Sequence, residues 1–426
     1  MKTKNSNELL KNKVAFLWDE SFLWGLMAYK AMKANGLPFE LIRAEDIKKG
    51  CLKNYVMLFV PGGWASNKLK PLGDKGIKEI KKFVRNGGNY LGFCGGAGLA
   101  TLDGIGLLNI KRKPTKERVP SFSGRIYLNI NEHPVWKGFK LQDSRFTSKN
   151  SRLQTPNSKL VFHAWWPSQF LVEDKSIKIL AVYGDAMPDS FSSDLNVGDV
   201  ETNNNWTEFE EIYGINLNPK RLKNEPAVIE GTFGKGRVIL SLIHFDTTDD
   251  KNGARVLKNL WRYLVKKQSA ISYQPPSARR SEFNSSLINE LETAINDLIS
   301  LGIRNFLWFW RNPMLLQWRR GVRGLEYCTL YVMLKELSAL RGQLSARDKE
   351  KLHRVKKLLM PFTKKAKQLL ILERHAIQNG YITYERCDDL EIQKIRTELF
   401  GDSKSHGGLF KKLIDKIDSL LFSLIN

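Results

Sequence analysis

The stretch Asn89-Tyr90-Leu91-Gly92-Phe93-Cys94-Gly95-Gly96-Ala97-Gly98-Leu99-Ala100 decides the fold of this chain. Asn89–Phe93 reads as a short strand, and the small apolar run Gly95–Leu102 reads as the start of a helix, so Cys94 stands at the junction. Gly92-x-Cys94-x-Gly96 is the spacing of a strand-to-helix elbow that presents a nucleophile, and the flanking elements give the motif its weight. The backbone of such a turn is strained, and side chains two residues either side of the nucleophile would collide with it. Glycine at 92 and 96 removes both collisions. The helix start also sets the Cys94 sulfur among N–H groups that have no intrahelical acceptor.

Upstream, Asp74 to Arg85 carries Ile77, Ile80, Phe83 and Val84 at helical spacing and is ended by Asn86-Gly87-Gly88. Before it, Tyr55–Val60 reads as a strand that runs into Pro61-Gly62-Gly63. An amide of the Gly62-Gly63 turn and the amide of Gly95 are therefore candidate donors to an oxyanion, since glycine lets backbone approach a substrate. Val14–Trp18 is a further strand, followed by a helix from Phe22 to Asn35 with Gly36 as its cap, and by a strand at Phe39–Arg43. Apolar runs alternating with amphipathic helices predict a mainly parallel sheet covered by helices.

Downstream, residues 105–225 are less regular, and the short apolar runs Arg125–Ile130, Leu160–His163 and Ile177–Tyr183 predict a β-rich insertion. Val228–Phe233 and Arg237–Ile243 predict a hairpin about Gly234-Lys235-Gly236, which lacks the length and the Ser/Thr of a phosphate-binding loop. The second strand delivers His244, followed two residues later by Asp246. A base that accepts the thiol proton and an acid that orients it complete a Cys94, His244, Asp246 triad. Asp19 and Glu20, at the carboxyl edge of the first strand, and Trp64 and His163 are further pocket candidates. A solvated helix start and ordinary packing are the plainer roles for these four.

VPGGWASNKLKPLGDKGIKEIKKFVRNGGNYLGFCGGAGLA, together with GTFGKGRVILSLIHFD, resembles the class I glutamine amidotransferase-like superfamily. Within it the chain looks most like the domain at the N-terminus of eukaryotic biotin-protein ligases, which also occurs as stand-alone bacterial proteins. The resemblance spans about residues 12–266. It implies a flavodoxin-like sheet and a Cys, His, acid site onto which Cys94, His244 and Asp246 map. The usual His-x-Glu is here His244-Phe245-Asp246, and the glutamine-binding motifs of glutaminases are not recognisable. Nor does Arg319-Arg320-Gly321-Val322-Arg323-Gly324, in a helical context, imitate the biotinyl-adenylate loop, so biotin transfer is not expected.

The 426 residues carry a formal charge of +24, of which residues 1–270 hold +15 and residues 271–426 hold +9. That field favours anionic partners, but no zinc-finger, helix-turn-helix or aromatic RNA-binding signature accompanies it, and nucleic acid is not the expected partner. Four scattered cysteines without a CxxC pair argue against a disulfide scaffold or a zinc site, and no metal or cofactor is expected. The N-terminus has no apolar secretory core and no segment is long enough to span a membrane, so the expected location is the cytoplasm.

Three regions are expected: an amidotransferase-like α/β domain over 10–268, a polar linker over 269–283 containing Pro275-Pro276, and a basic all-α helical domain over 284–426. The expected helices cover 284–302, 303–311, 313–342, 346–379, 388–399 and 407–424, with Asn312-Pro313 and Pro361 as breaks or kinks. Tryptophan beside arginine in Phe306–Arg311 and Trp318–Arg320 suits packing on a partner subunit or on other helices, and equally contact with an anionic membrane surface. For the whole chain two functions stand open. One is a thiol-dependent hydrolase of a small-molecule amide or ester acting through a Cys94 acyl-enzyme. The other is an inactive ligand-binding or scaffold protein that keeps the fold.

Overall fold

A computed structural model describes residues 13–139, 160–203, 205–265, 286–380, 387–402 and 406–426. The chain divides into two compact units, Met1–Tyr273 and Gln274–Asn426. The expected linker, 269–283, lies outside the described residues.

In the first unit the strands are β1 (Val14–Leu17), β2 (Glu40–Ile42), β3 (Met57–Val60), β4 (Asn89–Phe93), β5 (Lys111–Arg112), β6 (Phe122–Ile130) and β7 (Leu160–Trp165). They continue with β8 (Phe170–Leu171), β9 (Lys178–Ala186), β10 (Phe191–Ser192), β11 (Leu195–Asn196), β12 (Pro226–Phe233) and β13 (Gly236–Ser241). Neighbours β2-β1-β3-β4-β13 are all parallel, which is the flavodoxin order of a doubly wound sheet. From β13 the sheet continues antiparallel through β12, β9, β6, β10 and β11, with β7 paired to β6. The expected hairpin is β12–β13, and most of the β-rich insertion extends the same sheet, while β5 and β8 pair antiparallel in a small sheet of their own.

The parallel strands are apolar because both of their faces are covered. Every residue of β1 and β3 is buried. The covering helices are α1 (Phe22–Ala34), α2 (Ala44–Lys48), α3 (Ala65–Arg85) and α4 (Gly95–Leu99), followed by α5 (Val197–Asn203), α6 (Trp206–Tyr213) and α7 (Lys251–Leu264). Gly36 has φ +63°, the left-handed conformation that the sequence requires after α1. Helix α3 begins nine residues before the expected Asp74, and Gly73, at φ 53° and ψ −175°, bends the chain between its two parts.

The second unit contains α8 (Ser286–Arg304), a hairpin of β14 (Trp308–Asn312) and β15 (Leu315–Trp318), α9 (Gly324–Ala339), α10 (Asp348–Asn379), α11 (Leu390–Phe400) and α12 (Gly408–Ile425). The hairpin corrects the expected helices over 303–311 and 313–342. Alternating aromatic residues suit a pleated strand. Trp308 turns inward, with its indole N–H donating to the Ile299 carbonyl at 3.0 Å, while Phe309 is 48% exposed. Asn312 accepts from the amide of Met314 at 2.8 Å, and this turn reverses the chain where a helix was expected.

Pro361 does not end α10, which runs through it as one helix. Leu359, Phe362, Thr363 and Ala366 are buried on either side of the proline, and Phe362 meets Tyr327, Phe400 and Phe410 in an aromatic core. Among the described residues no helix is long and apolar enough to cross a membrane.

Candidate functional site

The parallel strands bring the elbow and the histidine loop to one sheet edge. Leu240 stands opposite Gly92 and Ser241 opposite Phe93, and the Cys94 amide donates to the Ser241 carbonyl at 2.8 Å. Cys94 has φ 48° and ψ −107°, a conformation that costs a non-glycine residue on the order of 1–3 kcal/mol. Tight packing holds it there. A Cβ on Gly96 would lie 1.9 Å from the Val60 carbonyl oxygen, and one on Gly95 would lie 1.7 Å from that of Gly63. One on Gly92 would lie 2.6 Å from the Gly96 oxygen. The glycines at 92, 95 and 96 are thus fixed by backbone contact, and the Gly62-Gly63 turn is pressed against the elbow.

His244 follows β13 and is fully buried, as is Asp246. Its amide donates to the His163 carbonyl at 2.9 Å, and its own carbonyl accepts from the amide and hydroxyl of Thr247 at 3.1 and 2.9 Å. The Trp165 indole N–H donates to that hydroxyl at 3.0 Å. These bonds fix the loop, so the ring takes one orientation: Nδ1 lies 3.0 Å from Asp246 Oδ1, and the ring packs on Trp24 at 4.8 Å between centroids. The shorter acid therefore reaches the imidazole.

Burial in itself disfavours the charged ring. The Asp246 carboxylate, by charge and hydrogen bond, outweighs it, the Cys94 thiol facing the ring adds to the rise, and the pKa is raised to about 10. The direction of the shift favours the imidazolium form of His244. Its Nε2 makes no hydrogen bond of good geometry among the described residues, while the Cys94 side chain lies close enough to raise the pKa of the ring. A buried donor left open beside a thiol can serve a negative sulfur or a leaving group.

The remaining sequence candidates divide. Asp19 is engaged in structure: Oδ2 accepts from the Ala44 amide at 2.5 Å at the start of α2, and Oδ1 accepts from Arg43 at 3.2 Å. Glu20 has φ 54°, and its carbonyl oxygen would lie 2.6 Å from a Cβ on Gly63, so it shapes the glycine turn through its backbone. Trp64 begins α3 and is 40% exposed. His163 supports His244 through its carbonyl, while its ring Nδ1 lies 2.9 Å from Asp250 and stacks on Trp165.

Sequence reasoning missed Lys68, which is fully buried and donates to the Ser21 hydroxyl and the Asp19 carbonyl beside Gly63. It also missed the aromatic frame of Trp24 and Trp166, whose rings lie 6.0 Å apart. Lys68 lies in a run of mixed charge that reads as a solvated face, and no local pattern marks it. Among the described residues, no group of three or more His, Cys, Asp or Glu side chains could hold a metal. A groove of about 490 Å³ lined by residues including Asp185, Pro188, Glu201 and Lys220 contains none of these site residues.

Residues 41–160 match the family model described as biotin-protein ligase, N terminal, a span that includes Gly62, Gly63, Cys94 and Gly95. No curated protein matches the chain. Among solved structures, PurLQS from Thermotoga maritima is similar at 14% identity and a TM-score of 0.37, covering 60% of this chain and 99% of its own. A glutamine amidotransferase is similar at 18% identity and 0.34, covering 59% and 98%. A ThuA-like protein from Bacteroides uniformis is similar at 13% identity and 0.36, covering 61% and 93%.

Proposed function

We propose that this chain, whose residues 41–160 match the biotin-protein ligase N-terminal family model, is an amidotransferase-like, thiol-dependent hydrolase of a small-molecule amide or ester. The observation that carries the reading is the buried His244–Asp246 pair, with Nε2 open, beside a cysteine in a strained elbow. The Cys94 sulfur, as a thiolate paired with the His244 imidazolium, attacks the carbonyl carbon, and Gly95 and the Gly62-Gly63 turn supply N–H groups to the oxygen that becomes negative. The C–N or C–O bond then breaks as His244 gives its Nε2 proton to the leaving group. Water adds to the thioester, His244 takes its proton, and the C–S bond breaks to release the acid. Because its pKa is raised to about 10, His244 acts first as an acid, where the sequence alone suggested a base.

Trapping with an electrophilic amide analogue, read by intact mass and peptide mapping, tests the reading. One adduct on Cys94, absent in Cys94→Ala, is expected. Equal labelling of that variant would defeat it. The second reading, a ligand-binding protein without turnover, draws on the poor geometry of the resting contact between His244 and Cys94. It predicts saturable binding of the analogue with no adduct.

A further inference from the structure

Two arginines stand near Cys94 without an assigned task. Arg112 lies on β5, opposite Phe170 of β8, and its guanidinium reaches over α4, where a Cβ on Gly98 would lie 2.9 Å from Nη1. Arg118 lies on the segment leading to β6. The segment is held in place: the Lys113 amide donates to the Gln169 carbonyl at 2.8 Å and the Val119 amide to its side-chain oxygen at 3.0 Å. Asn216 donates to the carbonyls of Lys116 and Arg118 at 2.9 and 3.3 Å. Gln169 itself is fully buried.

The charges near these arginines are poorly compensated. Arg112 Nε and Arg118 Nε are buried atoms with no hydrogen-bond partner among the described residues. Among the described residues, Arg112 Nε is ion-paired at 3.7 Å with the half-exposed Asp103, and Arg118 Nη2 donates to the Thr115 hydroxyl at 3.3 Å. Glu225, the acid on the same side, is taken by Lys113 at 2.7 Å. Burial, then the neighbouring charge of Arg112, holds the Arg118 pKa below its ordinary value, and only the Cys94 sulfur opposes this. Tyr183 on β9 is fully buried with its hydroxyl unpartnered, and it too feels Cys94 electrostatically. One cation over the elbow helix, and a second cation and an orphan hydroxyl within electrostatic reach of Cys94, are groups that an anion would satisfy.

We propose that Arg112 and Arg118, with the Tyr183 hydroxyl, form an anion subsite beside Cys94, so that the substrate carries a carboxylate or phosphate group near its scissile carbonyl. The inference rests on the hydrolase reading for its chemistry and on the arginines for its specificity. A guanidinium would take two oxygens of the anion side by side, and the tyrosine would donate to a third or to the same group.

The test compares Cys94 alkylation by iodoacetate, an anion, with that by iodoacetamide, its neutral counterpart. The ratio of the two rates is expected to favour iodoacetate and to fall about tenfold in Arg118→Gln and in Arg112→Gln, the effect of removing one partly buried charge. Arg118→Lys keeps the charge and is expected to keep most of the ratio. A ratio unmoved by both Gln substitutions overturns the subsite and leaves the nucleophile standing. In parallel, calorimetric titration of the Cys94→Ser protein with succinate and with inorganic phosphate reads the subsite without the thiol. Arginine-dependent binding of either anion supports the subsite even if Cys94 proves inert, and the stronger of the two identifies the group. Absence of binding by both anions, with a neutral ratio near one, overturns it.

Discussion

Replacing Asp246 by Asn isolates the interaction on which the site depends. His244 has an ordinary pKa of 6.5, raised to about 10 in the folded chain. At 1.36 kcal/mol per pH unit, the group contributes about 4 kcal/mol of stability at pH 7. The sign follows from the direction of the rise. The contribution is complete below pH 6.5 and is lost as pH climbs through about 10. Asn keeps the shape but not the charge, so burial, then opposed only by Cys94, lowers the pKa of the ring and favours its neutral form. Loss of the pair is expected to destabilise the first unit by about 3–5 kcal/mol at pH 7, as when one partner of a buried ion pair is removed. Urea unfolding of both proteins at intervals from pH 6 to pH 10.5 measures this. The difference between them should shrink steadily above pH 7, and His244→Gln should show the same flattened profile. Parallel curves over that range would refute the argument that Asp246 holds His244 charged.

Gly95→Ala should disrupt the elbow, because its Cβ would fall 1.7 Å from the Gly63 carbonyl oxygen; a loss of about 3 kcal/mol or more in thermal unfolding, with loss of Cys94 labelling, is expected. Trp308→Ala should cost the second unit about 3–5 kcal/mol, since the indole is buried and bonded to Ile299. Glu373 is buried against Arg396 at 2.8 Å, and burial, outweighing that arginine, raises its carboxyl from 4.5 to about 7. A raised carboxyl binds more protons in the folded state, so the stability of this unit should fall by about 3 kcal/mol from pH 4.5 to 7. Glu373→Gln should flatten that slope in denaturant unfolding, and an unchanged slope would count against it.

The parallel half of the first unit was legible because strands buried on both faces leave uninterrupted apolar runs, as in Val14–Leu17 and Met57–Val60. The elbow was legible because Gly92, Gly95 and Gly96 answer to backbone oxygens at under 3 Å, a demand that no other residue meets. Whether Asp246 could reach His244 was not legible, since that depends on the path of a loop fixed by Thr247, Trp165 and His163. Asp19 stands at the end of β1 as expected, but the role of its carboxylate was not legible, because the end of β1 also lies beside the start of α2, whose amide at Ala44 donates to it. The hairpin at Trp308–Trp318 was hidden because its aromatic run fits a helical face as well as a pleated one. Arg112 and Arg118 lie in an irregular segment, where charge reads as solvated until the fold brings it over α4.

Competitive labelling of the four cysteines tests the central claim, that Cys94 is an activated nucleophile, most directly. Burial raises the Cys51 thiol to about 11 and the Cys328 thiol to about 12, and Cys387 is buried, so the other three are internal references. The native protein is treated at pH 7 with less than one equivalent of iodoacetamide and mapped by mass spectrometry, alongside His244→Gln. Modification confined to Cys94, and slowed at least tenfold in His244→Gln, is the predicted result. Labelling of Cys51 as fast as Cys94, or a Cys94 rate indifferent to His244, would contradict it.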